Sequence, residues 1–264
     1  MSVLTRYAPT PSGHLHLGNI LNFALCAAYA KQHRGRIALR IDDLDASRAR
    51  PEFVENIFDT LSALDFRWDV GPKNSADFFQ NFSQASRQDR YFKAIKGLPT
   101  YACDCSRSMI QARTTLAYDG HCRVRKLPFF PGKNALRLQW QEFPDLLLWS
   151  KDNHPTYPLV SVIDDVSMGV NVIIRGEDLR EITAVQKALA SAMGLRAFAQ
   201  IQFGFHALLL DRQSKKLSKS QGAESVSMHA ADVFPQLSEN LAWGCRHQNL
   251  TDFISDSRAL ELIK

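Results

Sequence analysis

Apolar and polar positions alternate along the first part of the chain in two ways, one typical of strands and one typical of helices. Residues 3–7 and 36–41 are short apolar runs that predict strands, whereas residues 17–33 repeat apolar side chains at helical spacing. A second helix is predicted from Pro51, because proline suits the first turn of a helix and apolar residues follow at helical intervals. This strand–helix–strand–helix order predicts a parallel sheet with right-handed crossovers.

Strand-like runs return in the C-terminal half of the chain. Residues 159–166 and 170–174 predict two strands, residues 179–193 a helix, and residues 201–210 a further strand. Between the halves, the alternation of predicted strands and helices breaks down in a stretch that contains three of the five cysteines. This change of pattern predicts an insertion. The end of the chain has apolar residues at helical intervals and predicts short helices.

Together these patterns predict an α/β fold, a Rossmann-like doubly wound parallel sheet with a small inserted subdomain and a short helical C-terminal region. We expect a main domain made of residues 1–98 and 151–222, an inserted subdomain of residues 99–150, and a C-terminal segment of residues 223–264.

Composition and charge limit the classes of protein to which this chain can belong. The 264 residues are 45% hydrophobic and 22% charged, and no stretch approaches the roughly 20 apolar residues of a membrane span. The first residues lack the basic start and apolar run of a secretory signal, and an odd number of cysteines cannot all pair. We therefore expect a cytoplasmic protein, a monomer without a membrane partner. The net charge of +5 tolerates a polyanionic partner but does not establish one.

Two distant segments carry candidate phosphate-binding chemistry. In APTPSGHLHLGN, a strand ends, the chain turns, and a helix begins near His14 and His16, where backbone N–H groups favour an anion such as a triphosphate. The loop KKLSKS, which begins at Lys215, places three lysines directly after the last predicted strand. Taken singly, each segment is explained more simply as a turn or a solvated loop. Taken together, they suit one crevice at the carboxyl ends of parallel strands.

The two segments resemble the signatures of a known family. HLGN at His16 resembles the HIGH signature of class I aminoacyl-tRNA synthetases, and KLSKS at Lys216 resembles their KMSKS signature. The words RYAPTPSG at Arg6, LRIDDLD at Leu39 and IIRGEDL at Ile173 resemble the glutamyl branch of that class. The resemblance spans residues 4–222 and implies that the main domain is catalytic and activates glutamate with ATP and magnesium.

The resemblance also implies roles for individual residues. His16 and Lys219 are implied to be catalytic. The residues implied to bind ATP are His16, Gly18, Asn19, Lys216 and Lys219. The residues implied to bind glutamate are Arg6, Tyr7, Ala8, Pro9, Thr10, Asp42, Tyr157 and Arg175.

One of these positions departs from the family pattern. Asp42 stands where the glutamyl branch has a glutamate that holds the substrate ammonium group, so its carboxylate is one methylene shorter. A change of this size in a pocket is worth about 1–3 kcal/mol, which leaves open whether the amino acid is glutamate.

A third group of residues is a candidate metal site. Cys103, Cys105 and Cys122 suit a soft metal such as zinc, although reduced cysteines in an ordinary loop explain the pattern equally well. By spacing the fourth ligand is His121 or Tyr118, and ligand chemistry favours the imidazole. The pattern CxC followed by YDGHC resembles the glutamyl-Q tRNA(Asp) synthetases, a subgroup of the family. That resemblance implies one zinc ion held by the three cysteines and Tyr118.

The acceptor of the activated amino acid follows from the same resemblance. Few residues follow the lysine-rich loop, whereas glutamyl-tRNA synthetases add a large anticodon-binding region there. The subgroup implies transfer of glutamate to queuosine in the anticodon loop of tRNA(Asp), rather than to a tRNA 3′ end. Alternatives are a relative that uses another amino acid or a non-RNA acceptor, and a non-catalytic RNA-binding protein on the same scaffold.

Overall fold

The computed structural model describes residues 2–44, 49–114, 117–141, 144–209 and 230–264. The chain begins with β1 (Leu4–Tyr7), α1 (Leu17–Gln32), β2 (Arg36–Leu39) and α2 (Pro51–Ala63). Strands β1 and β2 are parallel, with Leu4 opposite Arg36. The predicted opening of two strands and two helices is confirmed, and Pro51 lies in the first turn of α2 as expected.

A helical connection leads from α2 to the insertion. It consists of α3 (Ser75–Asp77), a π-helix (Phe78–Phe82), a 3₁₀ helix (Ala85–Arg87) and α4 (Gln88–Ala94). In α4, Tyr91 is fully buried and packs with the insertion and with residues 159–163, which follow it in the chain.

The insertion contains β3 (Thr100–Cys103), α5 (Arg107–Gln111), a 3₁₀ helix (Arg123–Arg125), β4 (Ala135–Leu138) and β5 (Leu146–Trp149). The strands form an antiparallel sheet in the order β3–β4–β5. Antiparallel strands need no helix between them, unlike the parallel strands on either side. This explains why the alternation of strands and helices breaks down here.

One predicted strand is wrong. Residues 159–166 lie inside α6 (Tyr157–Met168), not in a strand. The run is rich in β-branched residues, but its apolar positions recur at intervals of three and four residues from Leu159 through Val162 and Ile163 to Val166, which is the helical repeat. Because α6 is buried on several sides, the run looks continuous rather than amphipathic.

The parallel arrangement resumes after α6. The elements are β6 (Val172–Gly176), a 3₁₀ helix (Glu177–Leu179), α7 (Arg180–Ala192), α8 (Arg196–Ala199) and β7 (Gln202–His206). Strands β6 and β7 are parallel, with Arg175 opposite Phe205. The predicted helix and flanking strands are confirmed, although β6 begins and ends two residues later than expected and β7 is shorter than the predicted run of residues 201–210.

Outside the insertion, the described strands form two parallel pairs rather than one continuous doubly wound sheet. The pairs nevertheless lie side by side, since the Asn171 N–H donates to the Leu4 carbonyl (3.0 Å) and the Leu4 N–H donates to Asn171 Oδ1 (2.8 Å). Further along, Arg6 Nη1 donates to the Ile174 carbonyl at 3.3 Å, so β1 and β6 run in the same direction. The carboxyl ends of β1, β6 and β7 therefore meet at one edge.

Short helices close the fold. They are α9 (Ala230–Asn240), α10 (Leu250–Ser255) and α11 (Arg258–Glu261), and they pack against α1. Phe234 and Phe253 join the core that α1 forms with the first strands, which buries α1 on both sides. Among the described helices, none is both long enough and apolar enough to cross a bilayer.

Candidate functional site

A cavity of about 230 Å³ opens at the edge where β1, β6 and β7 end and α1 begins. Crevices at the carboxyl ends of parallel strands are the usual place for ligands in α/β folds. Seven residues singled out from the sequence line it: Arg6, Ala8, His16, Gly18, Asn19, Tyr157 and Arg175.

The first turn of α1 forms one wall of the cavity. His16 is the N-cap, and its Nδ1 accepts a hydrogen bond from the Gly18 N–H at 3.2 Å. Asn19 Oδ1 accepts from the His16 N–H at 3.1 Å and completes a capping box. Because Nδ1 is an acceptor, a neutral His16 carries its proton on Nε2. The positive end of the helix dipole also favours an anion at this wall.

Arg175 forms a second wall of the cavity, near the end of β6. Its side chain is 2% exposed, and Nη1 donates to Gln186 Oε1 (2.7 Å) and Thr183 Oγ1 (3.0 Å). The buried Nε and Nη2 have no hydrogen-bond partner. Burial lowers the pKa of Arg175 to about 10. A buried guanidinium with unused donors is costly unless an acceptor, such as a carboxylate, enters the cavity.

Arg6 differs from Arg175 because a buried carboxylate already lies beside it. Its Nε lies 3.3 Å from Asp165 Oδ1, and the same oxygen lies 2.7 Å from Arg40 Nη1. Asp165 is fully buried and so shares its charge between two guanidinium groups. Of the two arginines at the cavity, Arg175 therefore has the larger unused capacity to bind an anion.

Asp42 is buried beside the cavity but is not among the residues that line it. Its two oxygens accept from Arg40 Nε (2.7 Å) and Nη2 (3.1 Å), and Oδ1 also accepts from Gln84 Nε2 (2.8 Å). Burial raises the pKa of Asp42 despite the paired arginine. In this arrangement Asp42 is an ion-pair partner of Arg40.

Three other predicted residues also lie away from the cavity wall. Tyr7 is fully buried, with its ring 5.1 Å from that of Phe23, and burial raises its pKa. Pro9 accepts a hydrogen bond from the Asp42 N–H at 2.9 Å, and the Thr10 carbonyl accepts from Ser12. These residues shape the turn that carries the chain from β1 to α1. Lys216 and Lys219 fall outside the described residues.

Sequence reasoning missed three polar residues of the cavity: Asn22, Asp178 and His206. Asn22 Nδ2 donates to the Ile174 carbonyl (3.1 Å) and lies 3.2 Å from His206 Nε2, while His206 Nδ1 lies 2.9 Å from the Ala207 carbonyl. A carbonyl only accepts, so Nδ1 carries the proton and Nε2 accepts from Asn22. Burial lowers the pKa of His206, which favours this neutral form. The sequence signals for Asn22 and His206 are positional: His206 ends a strand, and Asn22 lies one helical turn after Gly18. Neither of these two residues stands in a motif.

Comparison with known proteins now identifies the family. The family described as "tRNA synthetases class I (E and Q), catalytic domain" matches residues 2–125 and 133–255. The chain belongs to this family. It is an α/β class I tRNA synthetase catalytic domain, and the cavity lies between the HIGH-like segment and the IIRGEDL segment.

Individual relatives agree with the family. The chain is 31% identical to glutamate–tRNA ligase 1 of Syntrophus aciditrophicus over 255 residues, which cover 85% of this chain and 52% of that protein. It is 33% identical to glutamate–tRNA ligase of Methylobacillus flagellatus over 272 residues, covering 89% and 56%. The chain thus spans about half the length of these curated relatives. The glutamate–tRNA synthetase structure from Elizabethkingia anophelis shares the fold, with a TM-score of 0.75, 21% identity, and coverage of 99% of this chain and 67% of that one.

The synthetase chain has a second candidate site, the cysteine cluster of Cys103, Cys105 and Cys122. The three sulfurs lie within 4.8 Å of one another, and those of Cys105 and Cys122 are 3.5 Å apart. Tetrahedral zinc with bonds of about 2.3 Å holds its sulfurs about 3.8 Å apart. All three side chains are buried, so the donor set and its spacing fit zinc.

The surroundings of the cluster favour Tyr118 over His121 as the fourth ligand. The Tyr118 hydroxyl lies 3.3 Å from Cys103 Sγ and accepts from the Cys122 N–H at 2.9 Å, whereas His121 is exposed and does not join the cluster. Burial acts to raise the pKa of Cys103, but hydrogen bonds with Tyr118 and Arg137 outweigh it and lower that pKa. The neighbours of Cys103 therefore favour its thiolate, the form that binds metal, whereas burial and the nearby sulfurs raise the pKa of Cys105.

A second group of potential ligands is neutralised from within the protein. Cys245, His247 and Asp256 also lie within 4.8 Å of one another. However, Arg258 donates from Nε to Asp256 Oδ1 at 3.0 Å and from Nη2 to Cys245 Sγ at 3.0 Å. A guanidinium in this position opposes a metal cation, so the group serves as a structural ion pair between the last helices.

Proposed function

We propose that this chain activates glutamate with ATP, by attack of the α-carboxylate on the α-phosphate and release of pyrophosphate. The observation that carries the proposal is Arg175, a buried guanidinium with two unpartnered donors at a cavity that also contains His16 and Gly18. Such a reaction needs positioning and charge neutralisation but no protein nucleophile. The names of the relatives, all glutamate–tRNA ligases, agree with this substrate.

In this proposal one wall of the cavity binds the amino acid and the other binds the phosphates of ATP. Arg175, with Arg6 and Tyr157, binds the amino acid, and the unused donors of Arg175 suit the side-chain carboxylate. His16, Gly18 and Asn19 form the helix start that receives the phosphates. Lys216 and Lys219 are proposed to approach the same phosphates, and magnesium to accompany ATP. Ala8 lines the cavity, and Tyr7, Pro9 and Thr10 are proposed to act by shaping the chain between β1 and α1 behind it.

We further propose that the acceptor is queuosine in tRNA(Asp). Support comes from the cysteine cluster, since the residues that resemble the glutamyl-Q subgroup, the three cysteines and Tyr118, lie together. These four residues would hold one zinc ion, which would stabilise the insertion without taking part in the reaction. The same proposal assigns catalysis to residues 1–98 and 151–222, with residues 99–150 as the zinc-bearing insertion and residues 223–264 as a helical segment.

A different amino-acid substrate is the second candidate, and Asp42 favours it. Both oxygens of Asp42 are engaged by Arg40, so the carboxylate that would hold the substrate ammonium is already paired. A pocket with altered ammonium recognition can prefer another amino acid.

Two linked assays test these proposals. ATP–pyrophosphate exchange is measured with each of the twenty amino acids, with and without tRNA, and we expect exchange with glutamate alone. Labelled glutamate is then offered with tRNA(Asp) that carries or lacks queuosine, and with tRNA(Glu) as the control. Transfer only to queuosine-containing tRNA(Asp) supports queuosine as the acceptor. Transfer to tRNA(Glu) would show that the acceptor is a tRNA 3′ end instead. Absence of ATP–pyrophosphate exchange with every amino acid overturns the enzymatic proposal.

A further inference from the structure

Side chains of α7 hold Arg175 in place, and the role drawn from this arrangement rests on the proposed function. Arg175 reaches the cavity from the end of β6, but its hydrogen-bond partners come from α7. Gln186 accepts from Nη1 at 2.7 Å and Thr183 accepts from the same nitrogen at 3.0 Å. With Nη1 engaged, Nε and Nη2 remain for a ligand. The contacts from α7 thus decide which edge of the guanidinium is available.

Gln186 also contacts the other side of the amino-acid pocket. Its Nε2 donates to Ser161 Oγ at 2.6 Å, and Ser161 Oγ donates to the Tyr157 carbonyl at 2.7 Å. Tyr157 begins α6 and lines the cavity. The single side chain of Gln186 therefore links two of the residues proposed to bind glutamate, although it does not line the cavity itself.

The chemistry leaves only one orientation for this chain of hydrogen bonds. Arginine can only donate, so the Gln186 oxygen must face Arg175 and its NH₂ must face Ser161. The backbone carbonyl of Tyr157 can only accept, so Ser161 must donate to it and accept from Gln186. Gln186 is completely buried, and water cannot replace either contact without a rearrangement of the core.

We propose that Gln186 is the positioning residue that sets the selectivity of this site for a side-chain carboxylate, by fixing Arg175 with Nε and Nη2 available. Without Gln186, the guanidinium rotates and presents the wrong edge, and misplacement of a binding group by about 1 Å can cost about 100-fold. The effect falls on the amino acid and not on ATP, because Gln186 accepts from Arg175 and donates to Ser161, whereas the proposed phosphate site is the helix start at His16.

The test is Gln186→Met, which keeps the volume and removes both hydrogen bonds. We expect a KM for glutamate in ATP–pyrophosphate exchange about 10- to 100-fold higher, with the KM for ATP changed less than about twofold. The preference for glutamate over glutamine, its uncharged amide, falls by a similar factor. Gln200→Met, at an exposed glutamine, is the matched control and leaves all three values unchanged.

Gln186→Glu is the second variant and covers failure of the first to fold, as judged by thermal unfolding. Its carboxylate pairs with Arg175 and competes with the substrate, so the KM for glutamate again rises while the KM for ATP does not. If the wild type activates glutamate and a folded Gln186 variant keeps the same preference for glutamate, only the proposed role of Gln186 is overturned. A wild type that does not activate glutamate overturns the proposed function and this inference together.

Discussion

Gly18 has no room for a side chain beside the N-cap of α1. A Cβ at this position would lie 3.1 Å from both Nδ1 and Cε1 of His16, and the Gly18 N–H is the group that orients that ring. Replacement Gly18→Ala must therefore move His16 by a few tenths of an ångström or more. We expect kcat for ATP–pyrophosphate exchange to fall about 10- to 100-fold.

Thermal unfolding of the same variant supplies the control for Gly18→Ala. Alanine favours a helix more than glycine does, so the unfolding midpoint should stay the same or rise. Unchanged kcat in a folded Gly18→Ala protein would contradict the placement of His16 at the reacting phosphates.

Buried His206 makes stability depend on pH. Its folded-state pKa lies below its ordinary value of 6.5, with burial as the main cause, so the unfolded chain binds the proton more readily. The free energy of unfolding contributed by this residue is therefore present above about pH 6.5 and is lost as the pH falls below that value. Urea unfolding between about pH 7 and about pH 5 should show a shallower decline for His206→Asn than for the wild type. Parallel declines would contradict the assignment.

Some residues at the cavity were predictable from the sequence, and others were not. Arg6, His16 and Arg175 stand in motifs at strand ends or a helix start, and the structure brings them to one cavity. Asn22 and His206 stand in no motif, because their pairing depends on how α1 crosses β6 and β7. The engagement of Asp42 by Arg40 likewise depends on side-chain contacts that spacing does not reveal.

Among the elements, α6 shows where local pattern reasoning fails. Its buried residues follow a helical repeat, but the run is short and rich in valine and isoleucine, which favours a strand on composition. Burial against α4, α7 and α8 decides the outcome. The N-terminal elements were predictable because α1 is long and the turn before it contains prolines and glycine.

The cysteine cluster makes a prediction about the antiparallel insertion. We expect the purified protein to bind about one equivalent of zinc, and Cys103→Ser or Cys122→Ser to lose it, because each removes one of few ligands. Strands β3 and β4 should then exchange their amide hydrogens faster, while β1 and β6 remain protected. Metal analysis and hydrogen exchange measure both effects.

Matched variants separate the cluster from other thiols and from the histidine beside it. Cys245→Ser alters an exposed cysteine outside the cluster and should retain zinc. Tyr118→Phe should weaken zinc binding, whereas His121→Ala should not, since His121 lies outside the cluster. Metal-free wild-type protein with a normal fold would refute the zinc site.

At the scale of the whole molecule, the last residues anchor the C-terminal helices to β7. Phe205 and Lys264 exchange backbone hydrogen bonds of 2.9 and 2.8 Å, and a Cβ on Gly204 would lie 2.3 Å from Ile263 Cγ2. This packing joins distant parts of the sequence, so no local pattern predicts it.

Gly204→Ala should therefore destabilise the protein by about 1–3 kcal/mol through overpacking, as measured by urea unfolding. The same glycine substitution is then made in an Ile263→Ala variant, which lacks the methyl group that the new Cβ would strike. In that background the same glycine substitution should cost much less. Equal costs in both backgrounds would show that the tail does not pack on β7.

The proposed role of the buried Arg175 guanidinium is to select an amino acid with a carboxylate side chain. The most direct measurement is the amino-acid spectrum of ATP–pyrophosphate exchange for the wild type and Arg175→Gln, together with the KM for ATP. We predict exchange with glutamate for the wild type, and a kcat/KM for glutamate at least about 100-fold lower in the variant with the KM for ATP unchanged. Glutamate-dependent exchange that survives Arg175→Gln undiminished would contradict the account.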